Sequence, residues 1–166
     1  MLGRCSRCKY TEFKQGYGVA KFIAYKSDGS ATFNTGFSDG DFFFFRLAEA
    51  YLTYAEATAR LNGNKTTKEG TDAVNALRAR AHTSTRTNDS YSLNDLLDEW
   101  SREFYFEGIR RPILIRFGKY GGNTDYSWSW KGGTKQGRNF EAYKNVFAIP
   151  TDELTSNSNL KQNTGY

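Results

Sequence analysis

The stretch that decides the fold reads Asp41-Phe-Phe-Phe-Phe-Arg-Leu-Ala-Glu-Ala-Tyr-Leu-Thr-Tyr-Ala-Glu-Ala57. Apolar residues recur through it and beyond at 44, 47, 48, 51, 52, 55 and 59. That is the spacing of one face of an amphipathic helix. Asp41 reads as its N-cap, and Leu61-Asn62-Gly63-Asn64 as a left-handed stop. Ala48, Ala50, Ala55, Ala57 and Ala59 keep the helix slim and admit a close partner helix.

The partner follows directly. A second helix is predicted from about Thr67 to His82, with Thr66-Thr67-Lys68-Glu69 as a capping box and Ala73, Val74, Leu77 and Ala81 on its inner face. Residues 83–91 are rich in Ser, Thr and Asn and read as a loop. Ser92-Leu93-Asn94-Asp95 then caps a third helix with apolar positions at 93, 96, 97, 100 and 104. Its pattern runs on towards Ile109, and Gly108 and Pro112 weaken or kink it.

Outside the helices the pattern fades. Residues 1–40 read as an irregular arm, with a short strand near 19–25 and a turn at Asp28-Gly29. Residues 118–166 read as loops and a tail. The expected layout is therefore an arm (1–40), a helix pair (41–82), a third helix (92–117) and a loop region (118–166). All belong to one mainly α domain with little or no β-structure. Structureless arms of this length are uncommon in a closed domain, so residues 1–166 read as a fragment of a larger one.

Composition narrows the class. Of 166 residues, 13 are Phe, 11 Tyr and 3 Trp, so aromatics supply much of a 38% hydrophobic fraction. A chain this apolar is not a low-hydrophobicity disordered one. It has no run of about 20 apolar residues to cross a membrane as a helix. Met1-Leu-Gly-Arg-Cys-Ser-Arg-Cys-Lys9 has no apolar core of a secretory signal, and Arg4 before Cys5 does not fit a lipid-attachment site. If the protein is exported, its address lies upstream of Met1. Cys5 and Cys8 form a C-x-x-C, but the only histidine is His82 and no second cysteine pair completes a zinc site. The surroundings do not fit a redox pair at a helix start either, so incidental thiols are expected, with no metal and no cofactor.

Three constellations could carry chemistry. Glu99, Glu103 and Glu107 fall at i, i+4 and i+8 of the third helix. Glu103 and Glu107 could serve a glycoside hydrolase, but such pairs face each other across a cleft. With Arg102, Arg110 and Arg111 beside them, an ion-pair network is the expected use. Arg110, Arg111, Arg116 and Lys119, interleaved with Phe117 and Tyr120, would suit a module binding single-stranded nucleic acid. A net charge of +5 is mild, however, and the basic residues are spread along the chain. Bracing of helices and tail is expected there instead. Tyr126, Trp128 and Trp130 lie between glycines and alternate with serines. They could offer a platform to apolar sugar faces, or pin their loop to the protein body. Among the other aromatics, Phe44, Tyr51, Trp100 and Phe104 are expected on inner helix stripes, and Phe117, Phe147 and Tyr166 as pins for the arms.

Several strings, in order, resemble the SusD/RagB family. They are Asp41 to Ala57; Arg102-Glu103-Phe104-Tyr105-Phe106-Glu107-Gly108-Ile109-Arg110-Arg111 with Leu114-Ile115-Arg116-Phe117-Gly118-Lys119-Tyr120; and Ile149-Pro150, Glu153-Leu154 and Asn159-Leu-Lys-Gln-Asn-Thr-Gly-Tyr166. The match covers most of residues 17–166 and resembles the family's C-terminal part. It implies tetratricopeptide-like helix pairs stacked in an α–α superhelix, with 41–62 and 67–82 as one pair and Leu47, Ala48 and Tyr51 on its first helix. It also implies a non-enzymatic, cell-surface lipoprotein of the outer membrane that binds glycans or other nutrients and serves a SusC-type TonB-dependent transporter. No nucleic acid is implied, and membrane attachment would come only through a lipid anchor upstream. The sequence departs from the family at Ile109 (usually His), at Pro112-Ile113 (usually an aromatic or aliphatic residue and then Asp) and at Thr164 (often Pro). The lost Asp removes a charge partner for Arg111 or Arg116.

Overall fold

In the computed structural model, which describes residues 21–22, 25–26, 28–33, 41–122 and 125–166, five α-helices follow one another. They are α1 (Leu47–Leu61), α2 (Lys68–Arg80), α3 (Leu93–Glu103), α4 (Arg110–Arg116) and α5 (Thr151–Ser156), with 3-10 turns at Lys131–Gly133 and Ala142–Asn145. Among the described residues β-structure is limited to three isolated bridges. This is the mainly α architecture that the helical periodicities predict. The chain's contacts gather into two compact units, one over residues 20–110 and one that includes 111–166.

In the first unit, α1 starts later than Asp41 suggests. Arg46 is the N-cap, in an extended conformation (φ −148°, ψ 156°) and with no side-chain cap bond. Phe42 to Phe45 stay outside the helix and exposed. Aromatic side chains lose rotamer freedom against a preceding helical turn, whereas the alanines after Leu47 lose none. Phe44, expected on the inner stripe, is 84% exposed and meets Phe42 edge-on at 5.9 Å. The buried face is Ala48, Leu52, Ala55, Glu56 and Ala59; Tyr51 is only half-buried.

That face packs against α2 and α3. The α1–α2 approach is close enough that a Cβ at Gly70 would lie 2.9 Å from Thr58 Oγ1 and 3.4 Å from the Ala55 Cα. The cap of α2 is Thr67, whose hydroxyl accepts the Gly70 N–H at 3.2 Å. Thr66, the expected cap, is buried instead: its hydroxyl pairs with Thr71 at 2.7 Å and accepts the Tyr91 N–H at 2.8 Å. Ala81 lies past the end of α2 and is exposed. At α3, Ser92 and Asp95 form a complete capping box. Burial lifts the Asp95 carboxyl, but hydrogen bonds from Arg86 and Ser92 outweigh it and hold it below its ordinary value of 3.8.

The single helix expected over 92–117 is two helices. The chain turns out of α3 through Phe106 and Gly108, both at positive φ (63° and 80°), before α4 begins. Pro112 is the third residue of α4. In that first turn its missing N–H has no intrahelical acceptor to lose, so Pro112 interrupts no hydrogen bond of α4. Ahead of α1, Tyr25 and Ala31 bridge across a turn at Gly29 (φ 82°). This is a turn where the sequence predicts one, closed by a bridge; most of the short strand expected near 19–25 lies outside the described residues.

Leu52, Val74, Leu77, Leu96, Leu97, Trp100 and Phe104 form the buried centre, each contributing roughly 1.5–3 kcal/mol by burial. One carboxylate sits among them. Glu56 is 4% exposed, accepts the Trp100 Nε1–H at 3.1 Å and meets Arg60 at 2.9 Å. A second polar knot joins the start of α1 to the end of α3. Arg46 donates to Glu103 and to Glu107, the latter at 2.8 Å and 2.9 Å. Its guanidinium lies 3.9 Å from the Phe104 ring centroid. Lys21 also donates to Glu107, and Arg80 to Glu103 at 2.6 Å. Burial raises the Glu107 carboxyl, yet Arg46 and Lys21 outweigh burial and hold it below its ordinary value of 4.5.

In the second unit, the chain leaves α4 through Gly118 (φ 67°), just past its end, and the Lys119 N–H reaches back to the Leu114 carbonyl at 2.7 Å. Side-chain clamps then replace helices. The Asn145 amide holds Gly121 at both N–H (2.9 Å) and carbonyl (3.2 Å). Gln162 does the same to Ile149, at 2.9 Å on each side. The Tyr166 hydroxyl donates to the Val146 carbonyl at 2.7 Å, and its ring meets Tyr143 at 4.9 Å.

Two outcomes follow. Glu56→Leu removes the carboxylate that Trp100 and Arg60 share and should cost about 2 kcal/mol, read as a lower urea midpoint. Because the folded state depresses the Glu107 carboxyl, its contribution is complete above the unfolded value and is lost as pH falls through the folded one. Arg46→Met should cost about 3 kcal/mol at neutral pH and flatten the acid side of the stability profile, measured by urea midpoints across an acid series.

Candidate functional site

The three constellations read from the sequence have different surroundings. Glu99, Glu103 and Glu107 do form ion pairs, although Glu107 lies beyond the end of α3. Their partners come mainly from other elements. Glu99 is met by Arg78 and Arg102, each at 2.7 Å, and Glu103 and Glu107 converge on Arg46. Both carboxylates of the proposed hydrolase pair are therefore bound to cations. A polar cleft of about 540 Å3 opens beside Arg78, Arg86, Glu99, Arg102 and Glu103, and its charges are matched to one another, with Arg86 on Asp95 at 3.0 Å.

The basic cluster is also engaged within the chain. Arg110 donates to the Leu97 carbonyl at 3.1 Å. Arg111 donates to the Lys144 carbonyl at 2.7 Å, with its guanidinium 3.5 Å from the Phe147 centroid and 5.0 Å from Tyr120. Arg111 is thus held by a carbonyl and two rings. Lys119 pairs with Asp125 at 2.8 Å, and Arg116 has a partner within the chain.

The segment 125–140 differs from both. Tyr126 and Trp128 meet edge-on, their centroids 5.9 Å apart, and Trp128 is 40% exposed. Trp130 follows at positive φ (70°), half-buried, and the Tyr126 and Trp128 rings are inclined at 64° to one another. Gly137 (φ 75°) closes the loop: a Cβ there would lie 2.4 Å from the Trp128 carbonyl oxygen. The sequence gives no sign of Lys131, which looks like any solvated lysine beside two glycines. Its side chain is in fact buried, 1% exposed. The ammonium donates to the Tyr126 carbonyl at 3.1 Å and lies 4.9 Å from the Trp128 centroid and 5.2 Å from Phe140. Burial holds it below its ordinary value of 10.5. Phe140 is tied in turn to Tyr120, ring to ring at 5.2 Å, and by its carbonyl to the Gly122 N–H at 2.8 Å.

Among the described residues no group of three His, Cys, Asp or Glu side chains could hold a metal ion. Cys5 and Cys8 lie outside them, and His82 stands exposed just past α2. No helix among the described residues is long and apolar enough to cross a membrane.

The SusD family model matches residues 6–166. The chain is 42% identical over 154 residues to starch-binding protein SusD of Bacteroides thetaiotaomicron, which is 93% of this chain and 27% of that protein. Its fold is similar to surface glycan-binding protein A from Bacteroides uniformis, with a TM-score of 0.57 and 26% identity over 74% of this chain and 27% of that one. It is also similar to a SusD superfamily protein from Parabacteroides distasonis, with a TM-score of 0.60 over 80% of this chain and 29% of that one. At 23% identity the last is a likeness of fold alone. The chain thus spans little more than a quarter of the length of each of these relatives. Family model, sequence identity and helical architecture agree, and the chain belongs to the SusD family.

Proposed function

We propose that this chain is part of a non-enzymatic glycan-binding protein, with the loop at Tyr126, Trp128 and Trp130 as a contact for sugar. The observation that carries the reading is a half-exposed Tyr126–Trp128 pair, held by a closed loop, in a chain 42% identical to a starch-binding protein. Aromatic faces bury the apolar C–H surfaces of sugars without needing charge. The carboxylates that a hydrolase would need, Glu103 and Glu107, are bound to Arg46. In keeping with the family, the protein would stand at the surface of the outer membrane on a lipid anchor and hand an oligosaccharide to a SusC-type TonB-dependent transporter.

The test is titration of the chain with starch-derived maltoheptaose and a panel of other oligosaccharides. Binding should be insensitive to salt and fall by about tenfold or more, roughly 1.4 kcal/mol, in the double variant Trp128→Ala with Trp130→Ala. Binding to single-stranded nucleic acid that weakens steeply with salt would instead mark phosphate contacts. Release of reducing sugar, abolished by Glu103→Gln, would overturn the non-enzymatic reading.

A further inference from the structure

Lys131 is the only lysine among the described residues that is buried. A buried ammonium needs compensation, and a carboxylate is the usual source. Among the described residues none pairs with Lys131. Among the described residues the ammonium meets one carbonyl and two aromatic rings, and each belongs to the loop or its base: Tyr126, Trp128 and Phe140. The backbone of the same residue adds two ties. Its N–H donates to the Trp128 carbonyl at 3.1 Å, and its carbonyl accepts the Arg138 N–H at 3.0 Å. One residue therefore connects the carbonyl of the first ring-bearing residue, the indole of the second, and the far side of the loop at Arg138.

A lysine in this setting is a poor choice for stability alone. A Met of similar length would fill the space between the rings without withdrawing a charge from water, and such replacements are often neutral or stabilising. The charge does give direction. A cation over an indole face and a hydrogen bond to a carbonyl both depend on position, whereas apolar packing tolerates sliding.

From this we propose that Lys131 is the positioning residue of the aromatic loop, its ammonium fixing the Trp128 ring relative to Tyr126 so that the pair is preformed for an oligosaccharide. The inference rests on the loop being the sugar contact. Phe140, anchored by Tyr120 and Gly122, is the fixed side of the arrangement, and Trp128 is the exposed side that Lys131 holds to it.

The test compares wild type, Lys131→Met and the Trp128→Ala with Trp130→Ala double variant, all in the full chain. Three quantities are read: urea midpoint, amide hydrogen exchange over residues 126–138, and affinity for maltoheptaose. For Lys131→Met the midpoint should be equal to wild type or higher. Exchange at the Trp130 and Arg138 amides should quicken, and affinity should fall about fivefold, the loss expected from one hydrogen bond and one cation–π contact. A midpoint that falls together with affinity would show a structural lysine and overturn the proposal. So would unchanged exchange and unchanged affinity in Lys131→Met while the double variant still loses the sugar, and that result leaves the loop as the site. If the double variant binds as wild type does, or wild type does not bind, the loop is not the maltoheptaose contact and Lys131 is not its positioning residue.

Discussion

Within residues 20–110 the decisive interaction is the grip of Arg46 on Glu103 and Glu107. It ties the residue just before α1 to the residues at and beyond the end of α3, more than fifty positions away. To reach both carboxylates while lying over the Phe104 ring, Arg46 adopts an extended backbone, and a helix cannot run through it. The start of α1 thus reflects this tertiary contact together with the aromatic run ahead of it. The same contact bears on the other end: Glu107 meets Arg46 from beyond the helix, after the chain has turned at Phe106. A continuous helix from 92 to 117 would place Glu103 and Glu107 one turn apart along its axis, in a different relation to that guanidinium.

These origins explain what the sequence made legible. Helix periods in α1, α2 and α3 were readable because burial of one face repeats with the helical turn, and Leu52, Val74, Leu96 and Trp100 all carry the signal. The Ser92–Asp95 capping box was readable because it is local. Asp41 misled because a cap is only one way to begin a helix, and a charge network formed by distant residues chose another. Gly108 and Pro112 warned of a break, but the left-handed turn at Phe106 had no residue signature. Phe44 fits a helical stripe numerically, yet the backbone under it is not helical.

The candidate site was half legible for a similar reason. Aromatics between glycines suggest an exposed loop, and Trp128 is exposed. What holds the loop was invisible, because a lysine beside Gly132 and Gly133 gives no hint that its ammonium sits between two rings. Residues 111–166 are built largely of such contacts: Asn145 on Gly121, Gln162 on Ile149, Tyr166 on Val146. Each is a side chain saturating backbone groups that a helix or sheet would otherwise satisfy. They have no periodicity and leave no pattern to read.

That contrast bears on which surface suits an uncharged ligand. In the cleft beside Arg78 and Glu99 every named charge already has an opposite charge within 3.0 Å. A neutral oligosaccharide entering it would have to displace ion pairs and offer only hydroxyls in exchange, and hydrogen bonds to charged groups are the stronger ones. At Trp128 nothing charged need be broken on the exposed side. The cation is on the buried side, enclosed by Phe140 and the Tyr126 carbonyl. The loop therefore keeps its charge for its own order and presents ring surface outward. Under the proposed reading, that division would let a small segment meet a polar, uncharged molecule without a large pocket.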